Sequence, residues 1–134
     1  MIIGLTHVAV RVTDINRSIE FYSELLGLPE QFRLTNDAGD PCLVYLKVSD
    51  NQFIELFPGA QGSHIPPENA GVVHICLQVD DIQQTYKEMI ARGVVPHGEP
   101  ILACDESWQF WTHDPDGNPI EFHQFTPESR QING

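Results

Sequence analysis

The sequence predicts an α+β fold made of one strand, helix, strand, strand, strand unit used twice, and three observations carry that reading. Residues 4 to 15, Gly4-Leu-Thr-His-Val-Ala-Val-Arg-Val-Thr-Asp-Ile, reappear as Gly71-Val-Val-His-Ile-Cys-Leu-Gln-Val-Asp-Asp-Ile. Gly4 falls on Gly71, His7 on His74, Val12 on Val79, Asp14 on Asp81 and Ile15 on Ile82, the signature of an internal duplication. Both copies lead into a helical pattern that stops at a glycine, Gly27 and Gly93, with one residue fewer in the second copy. Beyond that slip the register resumes: Asp50 matches Asp116, and Phe53-Ile-Glu-Leu-Phe matches Pro119-Ile-Glu-Phe-His, so Glu55 pairs with Glu121.

Each element has its own local reason. Residues 3 to 12 alternate, with Val8, Val10 and Val12 on one face and Leu5, His7, Ala9 and Arg11 on the other. Asp14 is placed to cap a helix whose stripe is Ile15, Ile19, Tyr22, Leu25 and Leu26. Residues 29 to 35 and 42 to 48 read as strands joined by the turn-rich Asn36 to Pro41, and Asp50-Asn51 turns the chain into a last strand over 52 to 57. Pro58 to Ala70 reads as a seam between module 1 (1–58) and module 2 (71–125) of a single domain spanning 1–134. The second module repeats the plan, with a strand over 72 to 79 and a helix capped by Asp81 that carries Ile82, Tyr86, Met89 and Ile90. Strands near 94 to 102, 107 to 113 and 118 to 125 follow, the last two joined by Asp114-Pro-Asp-Gly-Asn. Residues 126 to 134 are polar and expected to form a loose tail.

Composition sets outer bounds. At 134 residues the chain can bury a real core, whereas a module of roughly 60 residues alone would be marginal. An apolar fraction of 41% and a charged fraction of 19% are those of a globular protein, and no apolar run approaches the ~20 residues of a membrane span. The first residues lack a signal-peptide pattern, so a cytoplasmic location is expected. A formal net charge of −12 argues against nucleic acid and anionic membranes as partners. Cys42, Cys76 and Cys104 are odd in number and far apart, which predicts reduced, mostly buried thiols rather than a disulfide framework or a zinc-thiolate site.

One helix per module covers only one face of each sheet. On the other face period two places His7 and His74, which share parity with Arg11 and Gln78, and Glu55 and Glu121, which share parity with Phe57 and His123. A lone strand histidine is more often a satisfied half-buried residue than a ligand. Two His and two Glu paired by a repeat are different, because four ionisable groups on one face call for something that neutralises them. That N/O set suits Zn, Ni, Co, Mn or Fe with open positions for water or substrate. A metal there would polarise a carbonyl while a glutamate moves a proton on the adjacent carbon. His64, His97 and His113 lie in or near loops and are expected at the surface. Trp108, Phe110 and Trp111 read as either a pocket mouth or core.

With these residues in place the chain resembles the vicinal oxygen chelate superfamily, the glyoxalase, bleomycin resistance and extradiol dioxygenase group, and is most similar to the glyoxalase I type. The resemblance rests on His7 and His74 on opening strands, Glu55 and Glu121 on closing strands, Asn16-Arg-Ser-Ile-Glu-Phe-Tyr before Leu26-Gly27, and Asp114-Pro-Asp-Gly before Glu121. It covers residues 1 to about 125 and implies two tandem βαβββ modules forming a cupped mixed sheet with helices outside, commonly in a homodimer. It further implies metal ligation by His7, Glu55, His74 and Glu121, with Glu121 as the proton-shuttling base and Glu55 as its counterpart. Arg11 matches a residue that holds a carboxylate of a thiol cosubstrate such as glutathione. The implied reaction isomerises the hemithioacetal of a 2-oxoaldehyde through an enediolate.

The sequence departs from that type in two places. Gly59 stands where an asparagine is usual, and Cys104-Asp-Glu-Ser-Trp offers no cation for a glutathione carboxylate. Other members of the superfamily therefore stay open: a drug-sequestering dimer of the bleomycin-resistance kind, a fosfomycin thiol transferase, a ring-cleaving dioxygenase for which His123 is a weak extra ligand, and an epimerase acting next to a thioester.

Overall fold

Alternation in the first strand sorts its side chains as the sequence requires: in β1 (His7–Val12) Val10 and Val12 are buried, while His7, Ala9 and Arg11 are exposed. The strand begins only at His7, and residues 1 to 6 lie outside it with Met1, Ile2 and Ile3 fully exposed. The computed structural model describes residues 1–64, 68 and 70–134, and the chain divides into two units, Met1–Ser63 and His64–Gly134.

In the first unit the Asp14 carboxylate accepts from the backbone N–H groups of Asn16 and Arg17 at 3.0 and 3.1 Å, which starts α1 (Ile15–Ile19). The helix continues as a π-helical segment, Glu20–Leu25, closed by Leu26 N–H donating to the Phe21 carbonyl at 2.9 Å. A π turn absorbs one extra residue without rotating the flanking turns out of register. That accounts for the residue by which this segment exceeds its counterpart: Ile15, Tyr22 and Leu26 still face inward, and Gly27 ends the segment at φ 79°. β2 (Glu30–Thr35), β3 (Pro41–Ser49) and β4 (Gln52–Pro58) complete a sheet of order β1-β4-β3-β2, with β1 and β4 parallel and the other pairs antiparallel. Helix α1 packs on β3 and β4 over Val44, Leu46, Ile54 and Leu56, each at most 1% exposed. Burying residues of this kind stabilises by roughly 1.5–3 kcal/mol each.

The second unit has the same topology: β5 (Ile75–Gln78), β6 (Ile101–Leu102), β7 (Trp108–His113) and β8 (Pro119–Gln124) form a sheet of order β5-β8-β7-β6 with β5 parallel to β8. β5 is Ile75–Gln78, shorter than the predicted 72 to 79, so His74 sits immediately before it. Asp81 caps α2 (Ile82–Arg92) through Gln84 N–H at 2.9 Å, and Gly93 ends it in the left-handed region. Ile82 and Met89 are buried, but Ile90, expected on the same stripe, is 46% exposed. The strand expected near 94 to 102 shrinks to β6 (Ile101–Leu102), because Pro96 and Pro100 withhold ladder donors and Gly98 takes φ 105°.

The turn between β7 and β8 is built on one side chain. Asp114, fully buried, accepts from Asp116 N–H and Asn118 N–H at 2.9 Å each and from Asn118 Nδ2 at 2.8 Å. His64, expected at the surface, is half-buried against this turn: its backbone N–H donates to the Asp116 carbonyl and its Nδ1 lies 2.9 Å from Asn118 Oδ1. His97 and His113 are exposed, as the sequence reading expects.

Two further expectations are corrected. The end of the chain is not loose: Ser107 Oγ donates to Ser129 Oγ at 2.7 Å with both residues buried, Arg130 N–H donates to the Asp105 carbonyl, and α3 (Arg130–Asn133) follows. Thr126 Oγ1 and Ser129 Oγ also donate to the Glu106 carbonyl, at 2.6 and 3.1 Å, and hydroxyl bonds of this sort leave no periodicity to read. Cys42, Cys76 and Cys104 are all exposed free thiols rather than buried ones: Cys42 lies where the register between β2 and β3 shifts, Cys76 points opposite the buried Leu77 on β5, and Cys104 lies in the loop before β7. Among the described residues no helix is long and apolar enough to cross a membrane.

Candidate metal centre

Parity decides what the helix-free face of each sheet carries. In the first unit Ala9 is the register partner of Glu55, and Tyr45 is its partner on the other side. His7, two residues before Ala9, therefore shares the Glu55 face, and its Nε2 lies 3.3 Å from Glu55 Oε2. The Tyr45 ring stands edge-on to His7 and stacks on Phe32 at 4.8 Å, which walls one side of the pair. Desolvation first, and then the charge of Glu55 and a hydrogen bond to it, hold the Tyr45 phenol above its ordinary pKa. Arg11, further along the same face, lays its guanidinium over the Phe57 ring, 4.9 Å from the centroid.

In the second unit Cys76 is the register partner of Glu121, and Trp111 flanks Glu121 from β7. His74 reaches the same carboxylate from the chain just before β5, with Nε2 3.2 Å from Oε2, and packs edge-on against Trp111 at 4.8 Å. Glu121 is only 7% exposed and both its oxygens are engaged, because His123 Nδ1 lies 3.1 Å from Oε1. Cys76 is exposed at one side only: partial desolvation, then the Glu121 charge, pushes its thiol up to about 12. Phe110 turns the other way into the core, stacked on Phe122 at 4.6 Å, so strand parity separates it from Trp111.

Each predicted His is thus brought to its predicted Glu, and each pair lies within one unit. Every pair offers one imidazole nitrogen and one carboxylate oxygen, the donor types of a borderline divalent metal. Among the described residues, Cys76, Glu121 and His123 form a group of three potential ligands with atoms within 4.8 Å of one another. The repeat alone assigns Cys76 no role and His123 a marginal one. The signal was their parity with His74 and Glu121. Of the two departures from the glyoxalase I pattern, Gly59 takes φ 101°, and the loop from Cys104 to Trp108 presents Asp105 and Glu106 but no cation.

Comparison with known proteins agrees with this geometry. The family model for the Glyoxalase/Bleomycin resistance protein/Dioxygenase superfamily matches residues 4–122. The chain is 35% identical to the uncharacterized protein YwbC of Bacillus subtilis over 90% of its own length and 96% of that protein. It is 30% identical to a probable lactoylglutathione lyase of Synechocystis over 90% and 94% of the two chains. The crystal structure of SMU.1112c superposes with a TM-score of 0.80 at 25% identity, covering 92% of this chain and 99% of that one. The duplicated βαβββ unit, the His and Glu pair that recurs in each unit and the match across nearly the whole repeat place this chain in the Glyoxalase/Bleomycin resistance protein/Dioxygenase superfamily.

Proposed function

We propose that the chain is a metal-dependent isomerase of the glyoxalase I type, acting on the hemithioacetal formed by a 2-oxoaldehyde and a thiol such as glutathione. The observation that carries this reading is the recurrence, once per unit, of a histidine Nε2 against a glutamate Oε2, at 3.3 Å and 3.2 Å, on the sheet face turned away from the helix. Similarity to a probable lactoylglutathione lyase supports the same substrate class. His7, Glu55, His74 and Glu121 are the residues we assign as ligands of a divalent ion of the Zn, Ni, Co, Mn or Fe group, whose charge the carboxylates would balance. Such an ion would supply Lewis acidity to the substrate's oxygens.

The chain's own residues do the rest. Glu121 takes the proton from one substrate carbon and returns it to the neighbouring carbon, with His123 fixing the carboxylate through its second oxygen. Glu55 stands as the counterpart carboxylate, oriented by His7 and Tyr45. Arg11, held flat over Phe57 and exposed, meets a carboxylate of the thiol. The active form is a homodimer, in which the open edges of the sheets find cover.

Metal analysis of protein purified without chelator, followed by assay on hemithioacetals, tests the reading. His7→Ala and His74→Ala should each lower metal affinity by at least about tenfold, since no nearby residue replaces the lost nitrogen. Undiminished metal stoichiometry in both variants, or full activity of metal-free protein, rejects it. Sedimentation of a stable monomer at micromolar concentration rejects the dimer.

A further inference from the structure

The face of the second sheet that carries His74 and Glu121 also carries a sulfur and a second imidazole. We propose that Cys76, Glu121 and His123 form a cation site of their own, which takes a thiophilic divalent ion of the Zn(II) or Cd(II) kind without help from His7 or Glu55. The three ligand atoms already lie within 4.8 Å of one another, against the about 3.5 Å that separates ligands around a tetrahedral ion, so a small side-chain adjustment closes the site. Cys76 and Glu121 are register partners on neighbouring parallel strands, and His123 follows Glu121 on the same face, so the backbone fixes their spacing.

His123 completes the set: its side chain is buried, and its Nδ1 lies 3.1 Å from Glu121 Oε1, near the spacing of two donor atoms on one ion. The first unit supplies the contrast. There the positions of Cys76 and His123 are Ala9 and Phe57 beside the conserved-by-repeat Glu55, so sulfur and second nitrogen are additions of the second unit alone. One thiolate and one carboxylate neutralise a divalent ion, and the sulfur selects zinc and cadmium over magnesium and calcium. Exposure of Cys76 leaves a way in. On binding, the Cys76 S–H bond gives its proton to solvent as the sulfur–metal bond forms.

Titration of the metal-free full chain with Cd(II) and with Co(II), followed by thiolate-to-metal charge-transfer absorption in the near ultraviolet, reads this site directly. The band should appear in the wild type, persist in a Cys42→Ser, Cys104→Ser double variant and in His7→Ala, and vanish in Cys76→Ser, an exposed position where folding is not at risk. His123→Gln should weaken Cd(II) binding by at least about tenfold. A wild type without the band, or a band that survives Cys76→Ser, overturns the proposal. Because His7→Ala removes a ligand only of the isomerase centre, the band and the isomerase activity fail independently.

Discussion

Glu55 and Glu121 occupy the same place in the two units, yet their surroundings differ. The Glu55 side chain is 17% exposed and meets one histidine and a tyrosine, with Ala9 and Phe57 as its remaining neighbours. The Glu121 side chain is 9% exposed, and a histidine sits at each oxygen. The duplication thus kept a carboxylate and an imidazole in both halves, while the residues around them diverged. A carboxylate fixed at both oxygens has less orientation left to lose when a substrate must be met at one geometry, which is the property a proton-transferring group needs. Under the proposed function, this difference would make Glu121 rather than Glu55 the base, although the repeat makes the two formally equivalent.

The largest expected effect breaks or upholds that inequality. Glu121→Gln keeps the shape of the side chain and removes the base, so isomerase turnover should fall by more than about a hundredfold. Glu55→Gln should cost less, and both variants should retain the circular dichroism of the wild type. Steady-state kinetics in which Glu55→Gln is the more damaged enzyme would reverse the assignment.

A second comparison concerns the turns that precede these glutamates, and its readout is stability. Asp114 organises the β7 to β8 turn through three hydrogen bonds while wholly buried, whereas at the corresponding turn of the first unit Asp50 is exposed and reaches Lys47 at 2.9 Å. Asp114→Ala leaves buried donors unanswered and should lower unfolding free energy by about 3 kcal/mol in urea. Asp50→Ala should leave the midpoint unchanged, because an exposed pair of this kind contributes little. Equal destabilisation by the two would show that the turns are not organised differently.

The asymmetry was only partly legible in the sequence. The repeat and strand parity were enough to place His7 with Glu55 and His74 with Glu121, because a strand has only two faces and the hydrophobic one was plain from Val10, Val12, Ile54 and Leu56. The slip of one residue between the repeats was visible, but its form, a π turn at Glu20–Leu25, was not, since a helical stripe tolerates either reading. Ser107, Thr126 and Ser129 gave no warning that they lock the end of the chain, because side-chain-to-backbone bonds have no period. Cys76 and His123 had the right parity but matched nothing in the first copy, and a reading led by the repeat attends to what recurs.

The smallest expected effect tests what Glu55 has in place of a second histidine. Desolvation and then the Glu55 carboxylate, by its charge and by hydrogen bonding, hold the Tyr45 phenol above its ordinary pKa, whereas the residue at its place in the second unit, Trp111, leaves Glu121 to His74 and His123. Tyr45→Phe removes one oxygen and preserves the ring that stacks on Phe32 and stands against His7, so packing should hold and the Glu55 carboxylate should gain freedom to turn. If Glu55 serves as a ligand and counterpart rather than as the base, the variant should lose only a few-fold in turnover, on the order of 1 kcal/mol, the size of one partly exposed hydrogen bond. Metal affinity should fall by a similar factor, because an unanchored carboxylate pays more orientation entropy on coordination. A loss in Tyr45→Phe as large as that in Glu121→Gln would mean that the tyrosine does more than orient Glu55, and that the first unit carries chemistry the comparison assigns to the second.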